Sequence, residues 1–287
     1  MDDALARQAF APTLWRRCVA CMRLILLLVI TAATAVALSV TRLLLVAAPT
    51  LRRRARGFVF RYWARSACAV LGIKTTVTGA LPDKTCIVAS NHLSYLDIVV
   101  MAQYLPAVFV SKRDVTHWPV IGWLTQLADT LYISRENHRD IPRTNAAIAA
   151  ALEQGDNVVI FPEGTSSDSD WVLPIRAPLL QTAASGDFSV TTAAIHFVTD
   201  PADPPAQISI CYFGDMVFTA HVWRLLHLRG AAVDLRLSGD LLHDSDRKSL
   251  AKQVRYSILN LQSENRPASP RPALDEHYAF EKYHVRH

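Results

Sequence analysis

Residues 85–100 read TCIVASNHLSYLDIVV, and this stretch decides the fold class. It begins with a short run rich in β-branched residues, typical of a buried strand, and ends with the apolar run Ile98-Val99-Val100. Ser94, followed three residues later by Asp97, forms the capping-box pattern that starts a helix. Residues 91–93 are therefore predicted to form a loop between a strand and a helix, where α/β folds usually place ligands.

Strands and helices alternate on both sides of this stretch. Short β-branched runs predict strands at 74–78, 85–89, 107–111, 130–133, 157–161, 190–197, 207–212 and 231–237. A helix is predicted from Pro142, at a first-turn position, to Gln154, with Gly155 as its C-terminal stop. The alternation predicts an α/β fold, a central mixed β-sheet flanked by helices.

An apolar segment precedes this domain. No charged residue occurs over 24–41, and the apolar character continues over 43–48. That length suits a helix that spans or inserts deeply into a bilayer core roughly 30 Å thick. Six arginines follow between 52 and 65, interleaved with aromatic residues. Because arginines meet lipid phosphates and aromatic rings favour the interface, residues 1–70 are predicted to form a membrane anchor and a basic interfacial helix.

The same segment has two other interpretations. One is a cleavable signal peptide, since Ala33-Thr34-Ala35 and Ala35-Val36-Ala37 offer small-residue cleavage patterns, and the other is a solvated basic helix. Against cleavage, the region before Arg23 is long and apolar residues continue beyond the sites. The arginine-rich flank favours an uncleaved anchor in the inner (cytoplasmic) membrane, with the rest of the chain on the cytoplasmic side.

Composition limits the class of protein further. The chain has 287 residues, 51% of them hydrophobic, and a formal net charge of +5, which suits one large folded domain. Because the arginines directly follow an apolar helix, membrane lipids and not nucleic acid are the expected partners. Five scattered cysteines imply neither a disulfide framework nor a zinc site. The sequence has no Gly-x-Ser-x-Gly elbow and no His-Glu-x-x-His pattern, so neither a serine hydrolase nor a metal site is predicted.

His92 is the first candidate for chemistry. In a continuous helix His92 and Asp97 would point about 140° apart, at roughly 100° per residue. If the loop instead curls back, the Asp97 carboxylate accepts from one imidazole nitrogen and leaves the other available as a base. The capping box is the competing explanation for Asp97, but it does not account for His92.

Three motifs in order resemble the lysophospholipid acyltransferase family, the group that includes 1-acyl-glycerol-3-phosphate acyltransferase. They are NHLSYLD at 91–97, LYISRE at 131–136 and FPEGTSS at 161–167, and the resemblance covers about residues 70–240. The resemblance implies an acyltransferase domain, taken as residues 71–262. Beyond it, Pro267, Pro270 and Pro272 with polar neighbours predict a loose C-terminal tail over 263–287. The resemblance further implies an enzyme that moves a fatty acyl group from a thioester to the free hydroxyl of a lysophospholipid.

The resemblance also implies roles for individual residues. His92 corresponds to the general base and Asp97 to its orienting partner. Arg135 is suited to a bidentate contact with a phosphate. The implied acceptor-binding residues are Glu163, Gly164, Thr165 and, in VSKRDV, Lys112. No cofactor is expected beyond the co-substrate, a thioester of coenzyme A or of acyl carrier protein, and the latter would then be a protein partner.

Two departures from the family pattern concern the substrates, the first bearing on contacts with the acyl donor and the second leaving the acceptor open. Thr192 stands where the fourth family motif usually has a proline, and residues 173–179 replace the common Phe-Lys-x-Gly. Residues 165–168, Thr-Ser-Ser-Asp, look more like bacterial enzymes that acylate lyso-ornithine lipid. The favoured acceptor is 1-acyl-sn-glycerol-3-phosphate, which would yield phosphatidic acid. The alternatives are lyso-ornithine lipid or another lysolipid, and a non-catalytic membrane lipid-binding module.

Overall fold

The computed structural model describes residues 12–118, 120–134, 140–168, 171–186 and 188–263, and within these ranges seven strands form one sheet. The strands are β1 (Ile73–Thr78), β2 (Ile87–Ser90), β3 (Ala107–Lys112), β4 (Leu131–Ile133), β5 (Asn157–Ile160), β6 (Val190–Thr199) and β7 (Ala231–Leu237). The α-helices are α1 (Leu14–Leu44), α2 (Pro49–Leu71), α3 (Leu96–Ala102), α4 (Ile121–Leu127), α5 (Asp140–Glu153), α6 (Gln181–Ser185), α7 (Ala206–Ser209), α8 (Phe218–Leu226) and α9 (Arg247–Ser263). The predicted tail, from residue 264 onward, lies outside the described residues.

The sheet is mixed, as the sequence predicted. Its strand order is β1-β7-β6-β2-β5-β3-β4. Every neighbouring pair is parallel except β6 and β7, which are antiparallel. A single antiparallel pair in an otherwise parallel sheet is common in large α/β folds.

One predicted strand is wrong. Residues 207–212, rich in β-branched and aromatic side chains, form the short helix α7 and a following loop. The reason is local, because Pro205 caps the segment and its carbonyl accepts from the N–H groups of Ile208 and Ser209. Proline is well suited to the start of a helix, and this turn overrides the strand propensity.

Helices cover both faces of the sheet. On β2, Val88 packs into a cluster with Phe60 and Trp63 of α2. The flanking Ile87 packs into a second cluster on the opposite face, with Ile148 of α5 and with α9. Successive residues of β2 are therefore both buried, which explains why this central strand lacks the alternation of buried and more exposed residues that β1 and β7 show.

The two N-terminal helices pack side by side against one face of the sheet. Trp63 Nε1 in α2 donates to Thr31 Oγ1 in α1 at 3.0 Å. α1 is the only helix of the described residues that is long and apolar enough to cross a membrane by length and composition, and only 22% of its most apolar stretch is buried. Its exposed apolar side chains include Trp15, Ile25, Val29, Val36, Val40 and Leu43. This face indicates a membrane protein.

One side of the basic helix α2 is buried in the protein, in contrast to the predicted interfacial segment. Phe60 and Trp63 face the protein core, while Phe58 and Tyr62 are exposed. Arg56 is also buried, and its two terminal nitrogens lie 2.7 Å from Asp129 Oδ2 and 2.8 Å from Asp156 Oδ1. Only part of the arginine and aromatic content of α2 is therefore open to lipid headgroups.

The Arg56 ion pairs are expected to fasten α2 to the domain that contains the sheet. Arg56→Met leaves two carboxylates without their partner and should lower the free energy of unfolding by about 1–3 kcal/mol, below the loss for a fully buried pair because Asp129 is partly exposed. Arg54→Met, on the exposed side of the same helix, is the matched control. Denaturant unfolding in detergent measures both, and equal stabilities of the two variants would contradict this role.

Candidate active site

Parallel strands bring the sequence motifs to one edge of the sheet. β2, β5, β3 and β4 are consecutive parallel neighbours, so their carboxyl ends lie at the same edge. The His92 loop follows β2, the turn at 161–165 follows β5, and Lys112 ends β3. Arg135 follows β4 in the sequence and lies outside the described residues, so its predicted contact with the acceptor stays a prediction.

The His92 loop curls back so that the imidazole meets the Asp97 carboxylate. His92 Nδ1 lies 2.7 Å from Asp97 Oδ2, a distance typical of a charge-assisted hydrogen bond. The same oxygen accepts the backbone N–H of Leu93 at 2.7 Å and that of Ser94 at 3.0 Å. The helix begins only at Leu96, so the loop geometry expected from the sequence is the geometry observed.

The capping-box explanation holds only in part. Asp97 accepts the Ser94 N–H, as the acid of a capping box does. The Ser94 hydroxyl does not complete the box, because it is buried and has no hydrogen-bond partner among the described residues. Three donors converge on one oxygen of a fully buried Asp97, and this fixes the carboxylate against the imidazole.

Neighbouring side chains hold the His92 loop in place. The Phe161 ring stacks on the imidazole with centroids 4.2 Å apart. Asn91 bonds both backbone groups of Ile195, donating to the carbonyl at 3.0 Å and accepting the N–H at 2.8 Å. The His92 side chain keeps 15% of its surface exposed, and its Nε2 makes no hydrogen bond to the described residues. This nitrogen is therefore available to take a proton.

Glu163 lies in the wall of the site. Its side chain is fully buried, with Oε1 accepting the His92 N–H and Oε2 accepting the Leu173 N–H, each at 2.8 Å. These two bonds tie the turn after β5 to the His92 loop and to Leu173. The sequence led us to expect further bonds from Glu163 to acceptor hydroxyls or to Arg135. Those contacts stay a prediction, since Arg135 lies outside the described residues.

Burial of Glu163 predicts a pH-dependent stability. Burial raises its pKa from 4.5 to about 8, although the N–H groups of Leu173 and His92 oppose the shift. The folded protein therefore holds this proton to higher pH than the unfolded chain, and stability should fall as the pH rises from about 4.5 towards 8. Glu163→Gln removes that dependence but leaves a backbone N–H unpaired, at a cost of about 1–3 kcal/mol.

Denaturant unfolding of wild type and Glu163→Gln from pH 5 to pH 8 measures the effect. The variant should show a flatter dependence of stability on pH than the wild type. Glu153→Gln, on the exposed side of α5, should keep the wild-type dependence. Parallel curves for wild type and Glu163→Gln would show that Glu163 is ionised throughout this range.

Gly164 makes the tight turn that the sequence predicted. Its φ is 77°, in the left-handed region that favours glycine. A Cβ at this position would collide with the side chain of Arg176. The backbone N–H of Arg176 donates to the Pro162 carbonyl at 2.8 Å, which keeps the two segments together.

The remaining predicted acceptor residues lie at the same edge but make no contact that tests their roles. Thr165 is partly exposed on the turn after Gly164. The Lys112 ammonium pairs with Asp114, and the Lys112 side chain is 41% exposed. Substrate binding by Thr165 and Lys112 stays a prediction.

An aromatic cluster beside the His92 loop was not predicted. Tyr95, three residues after His92, places its hydroxyl 3.0 Å from His221 Nδ1 in α8. Burial lowers the pKa of His221 to about 4, so this imidazole is neutral. The cluster consists of Tyr95, Trp118, Tyr212, Phe218 and His221. The sequence gives no signal for it, because its members come from four separate segments.

The described residues include no metal cluster, and two of their buried thiols are poor nucleophiles. No three of their His, Cys, Asp or Glu side chains come together as a metal site. Burial raises the pKa of the Cys68 thiol to about 12 and that of Cys86 to about 11. A thiol with so high a pKa is a poor nucleophile near neutral pH.

Comparison with known proteins supports an acyltransferase. The family model described as Acyltransferase matches residues 73–196. The 1-acyl-sn-glycerol-3-phosphate acyltransferase of Neisseria gonorrhoeae is 31% identical over 198 residues, which cover 68% of this chain and 76% of that protein. The lyso-ornithine lipid O-acyltransferase of Pseudomonas aeruginosa is also 31% identical, over 199 residues that cover 69% of this chain and 76% of that protein.

The fold matches a solved structure of similar extent. The crystal structure of the 1-acyl-sn-glycerophosphate acyltransferase PlsC from Thermotoga maritima superposes with a TM-score of 0.54 at 19% sequence identity. The match covers 86% of this chain and 100% of that one, so the N-terminal helices and the sheet belong to one shared architecture. Sequence relatives, a shared fold and a paired histidine and aspartate at the sheet edge lead to one conclusion: the chain belongs to the acyltransferase family.

Proposed function

We propose that this protein transfers a fatty acyl group from an acyl thioester to the free hydroxyl of a lysolipid. The observation that carries the proposal is the 2.7 Å contact between His92 Nδ1 and Asp97 Oδ2, with Nε2 of the same ring available. A positioned imidazole of this kind acts as a general base for a hydroxyl nucleophile.

The reaction proceeds by direct displacement. His92 Nε2 takes the proton of the acceptor hydroxyl as its oxygen attacks the thioester carbonyl. The tetrahedral intermediate expels the thiolate, which takes the proton from the imidazolium, so ester and free thiol are the products. Asp97 favours the imidazolium form that exists between these steps. We expect no acyl-enzyme, because the hydrogen-bond partner of His92 is Asp97 and not a cysteine or a serine, and burial keeps the Cys68 and Cys86 thiols protonated at neutral pH.

The favoured acceptor is 1-acyl-sn-glycerol-3-phosphate, which would give phosphatidic acid. The Neisseria relative carries this substrate in its name. Lyso-ornithine lipid is the second candidate, supported by the equal identity to the Pseudomonas relative and by the Thr-Ser-Ser-Asp run at 165–168. The acyl donor is a thioester of coenzyme A or of acyl carrier protein.

The membrane supplies the acceptor. Attachment to the inner membrane is supported by the exposed apolar face of α1. The arginines of α2 other than the buried Arg56 support a position of the sheet on the cytoplasmic side. Protease treatment of sealed inverted vesicles should then degrade the catalytic domain. Its survival in inverted vesicles and degradation in spheroplasts would place it on the other side.

A competition experiment identifies the acceptor. Purified protein in detergent receives equal amounts of 1-acyl-sn-glycerol-3-phosphate and lyso-ornithine lipid, with either thioester, and mass spectrometry identifies the diacyl product. Phosphatidic acid as the main product supports the favoured acceptor, while acylated ornithine lipid supports the second. Lysolipid binding without either product would support a non-catalytic lipid-binding module.

A further inference from the structure

The turn after β5 contains no cationic residue of its own. Residues 144–175 include no lysine and no arginine, although they supply β5 and the whole turn beside His92. Thr165 and Ser166 provide hydroxyls there, and Glu163 is committed to backbone N–H groups. An acceptor with an anionic headgroup would find no positive charge within this segment.

Arg176 brings a guanidinium to the turn from the next segment. Its Nε, Cδ and Cζ atoms are the nearest neighbours of the position that a Gly164 Cβ would occupy, so the charged end of the side chain lies against the Gly164 backbone. The Arg176 N–H donates to the Pro162 carbonyl, and the Leu173 N–H donates to Glu163. The segment that carries Arg176 is therefore tied to Pro162 and Glu163, the two residues just before the glycine.

The same contacts relate Arg176 to the catalytic base. Phe161, at the start of the turn, stacks on the His92 imidazole, and Glu163 binds the His92 N–H. Arg176 thus joins a rigid unit that includes the base, at the sheet edge where parallel strands end. The absence of a Cβ at Gly164 provides the space for its guanidinium.

We propose that Arg176 binds the anionic group of the acceptor lysolipid and so determines the preference for a charged headgroup. This proposal rests on the lysolipid acyltransferase function. A guanidinium presents up to five N–H donors in a planar fork, which matches the oxygens of a phosphate or a carboxylate. Either candidate acceptor headgroup offers such oxygens.

Steady-state kinetics of Arg176→Gln and Arg176→Lys test the proposal. The acceptors are 1-acyl-sn-glycerol-3-phosphate and the uncharged 1-monoacylglycerol, and KM is measured for both acceptor and thioester. Loss of a charge-assisted contact predicts a rise of about 10- to 100-fold in the KM for the phosphate acceptor in Arg176→Gln. The thioester KM should stay as in the wild type, and Arg176→Lys should lie in between.

Two comparisons separate the possible explanations. Arg143→Gln, an exposed arginine on α5, controls for the loss of a positive charge and should leave all constants unchanged. If the wild type acylates the uncharged acceptor, the preference for the phosphate acceptor over the uncharged one can be measured. This preference should be lower in Arg176→Gln than in the wild type, by the same factor as the KM for the phosphate acceptor rises. If the wild type does not acylate the uncharged acceptor, the KM for the phosphate acceptor alone decides whether Arg176 binds the headgroup.

The proposal is overturned if Arg176→Gln, shown by circular dichroism to be folded, keeps the wild-type KM for the phosphate acceptor. It is also overturned if only the thioester KM rises, since Arg176 would then bind the donor. If Arg176→Gln does not fold, a wild-type acceptor KM in Arg176→Lys has the same meaning, because a lysine cannot reproduce the bidentate contact. Failure of the wild type with every lysolipid would instead remove the proposed function itself.

Discussion

His92→Ala is expected to lower kcat by about three orders of magnitude, within the range of 10²- to 10⁴-fold that a general base contributes. The structure gives two reasons for so large an effect. Nδ1 is held by Asp97 at 2.7 Å, and Nε2 is the imidazole nitrogen left for the substrate. His221, the buried histidine that contacts Tyr95 of the same loop, lies in the aromatic cluster and is neutral, so it cannot replace His92 as the base.

The loss should appear in kcat more than in KM. The imidazole acts on a proton that moves only during the reaction, so its removal weakens the transition state and not the bound substrates. His117→Ala, which removes an exposed imidazole, is the control and should keep the wild-type rate. Thiol release from the thioester measures both variants. If His92→Ala retains more than a tenth of the wild-type kcat with unchanged folding, His92 is not the base.

Asp97→Asn is expected to lower kcat by about two to three orders of magnitude while the protein stays folded. The amide oxygen can replace Oδ2 and still accept from Leu93, Ser94 and the imidazole. What disappears is the negative charge that favours the imidazolium during transfer. Asp97→Ala should in addition destabilise the loop, because two backbone N–H groups lose their acceptor.

A double variant tests whether the two residues act together. His92→Ala combined with Asp97→Asn should be little slower than His92→Ala alone, because Asp97 acts through the imidazole. Asp240→Asn, on an exposed turn, serves as the matched control. Rates that fall by the product of the two single effects would show that Asp97 contributes independently of His92.

Much of the fold and of the His92 site could be predicted because local patterns encode them. The strands at 87–90, 107–112 and 157–160 overlap the strands predicted from β-branched runs, and motif residues lie at or just after their carboxyl ends. The loop around His92 was predictable from chemistry, since a helical stretch cannot bring its ring to Asp97. The neighbours of each strand were not predictable, because β1 pairs with β7 across most of the chain.

The spacing of residues in α2 predicts its buried face, but the arginine-rich composition of the helix favoured a different interpretation. Its inward residues Arg56, Phe60, Trp63, Ala67 and Leu71 are spaced by three or four positions, which is the period of one helix face. The arginine content favoured an interfacial segment, and the spacing was the better guide. A buried arginine was unexpected because its partners, Asp129 and Asp156, come from distant loops.

The positions of Glu163 and Arg176 depend on contacts that no local pattern reveals. Glu163 is an acidic residue in the turn after a strand, so the sequence favoured a side chain exposed to the substrate. Its burial depends on the His92 and Leu173 N–H groups, which lie 71 and 10 positions away. The contact of Arg176 with Gly164 arises because residues 171–176 fold back over the turn, a path that sequence spacing does not fix.

The most direct test of the central claim is thiol release by purified wild-type protein from an acyl thioester, with and without a lysolipid acceptor. The account predicts release that depends on the acceptor, matched mole for mole by the diacyl lipid, and lost in His92→Ala. Release without acceptor that yields free fatty acid, or an acylated protein isolated after incubation with thioester alone, would contradict direct transfer to a lysolipid.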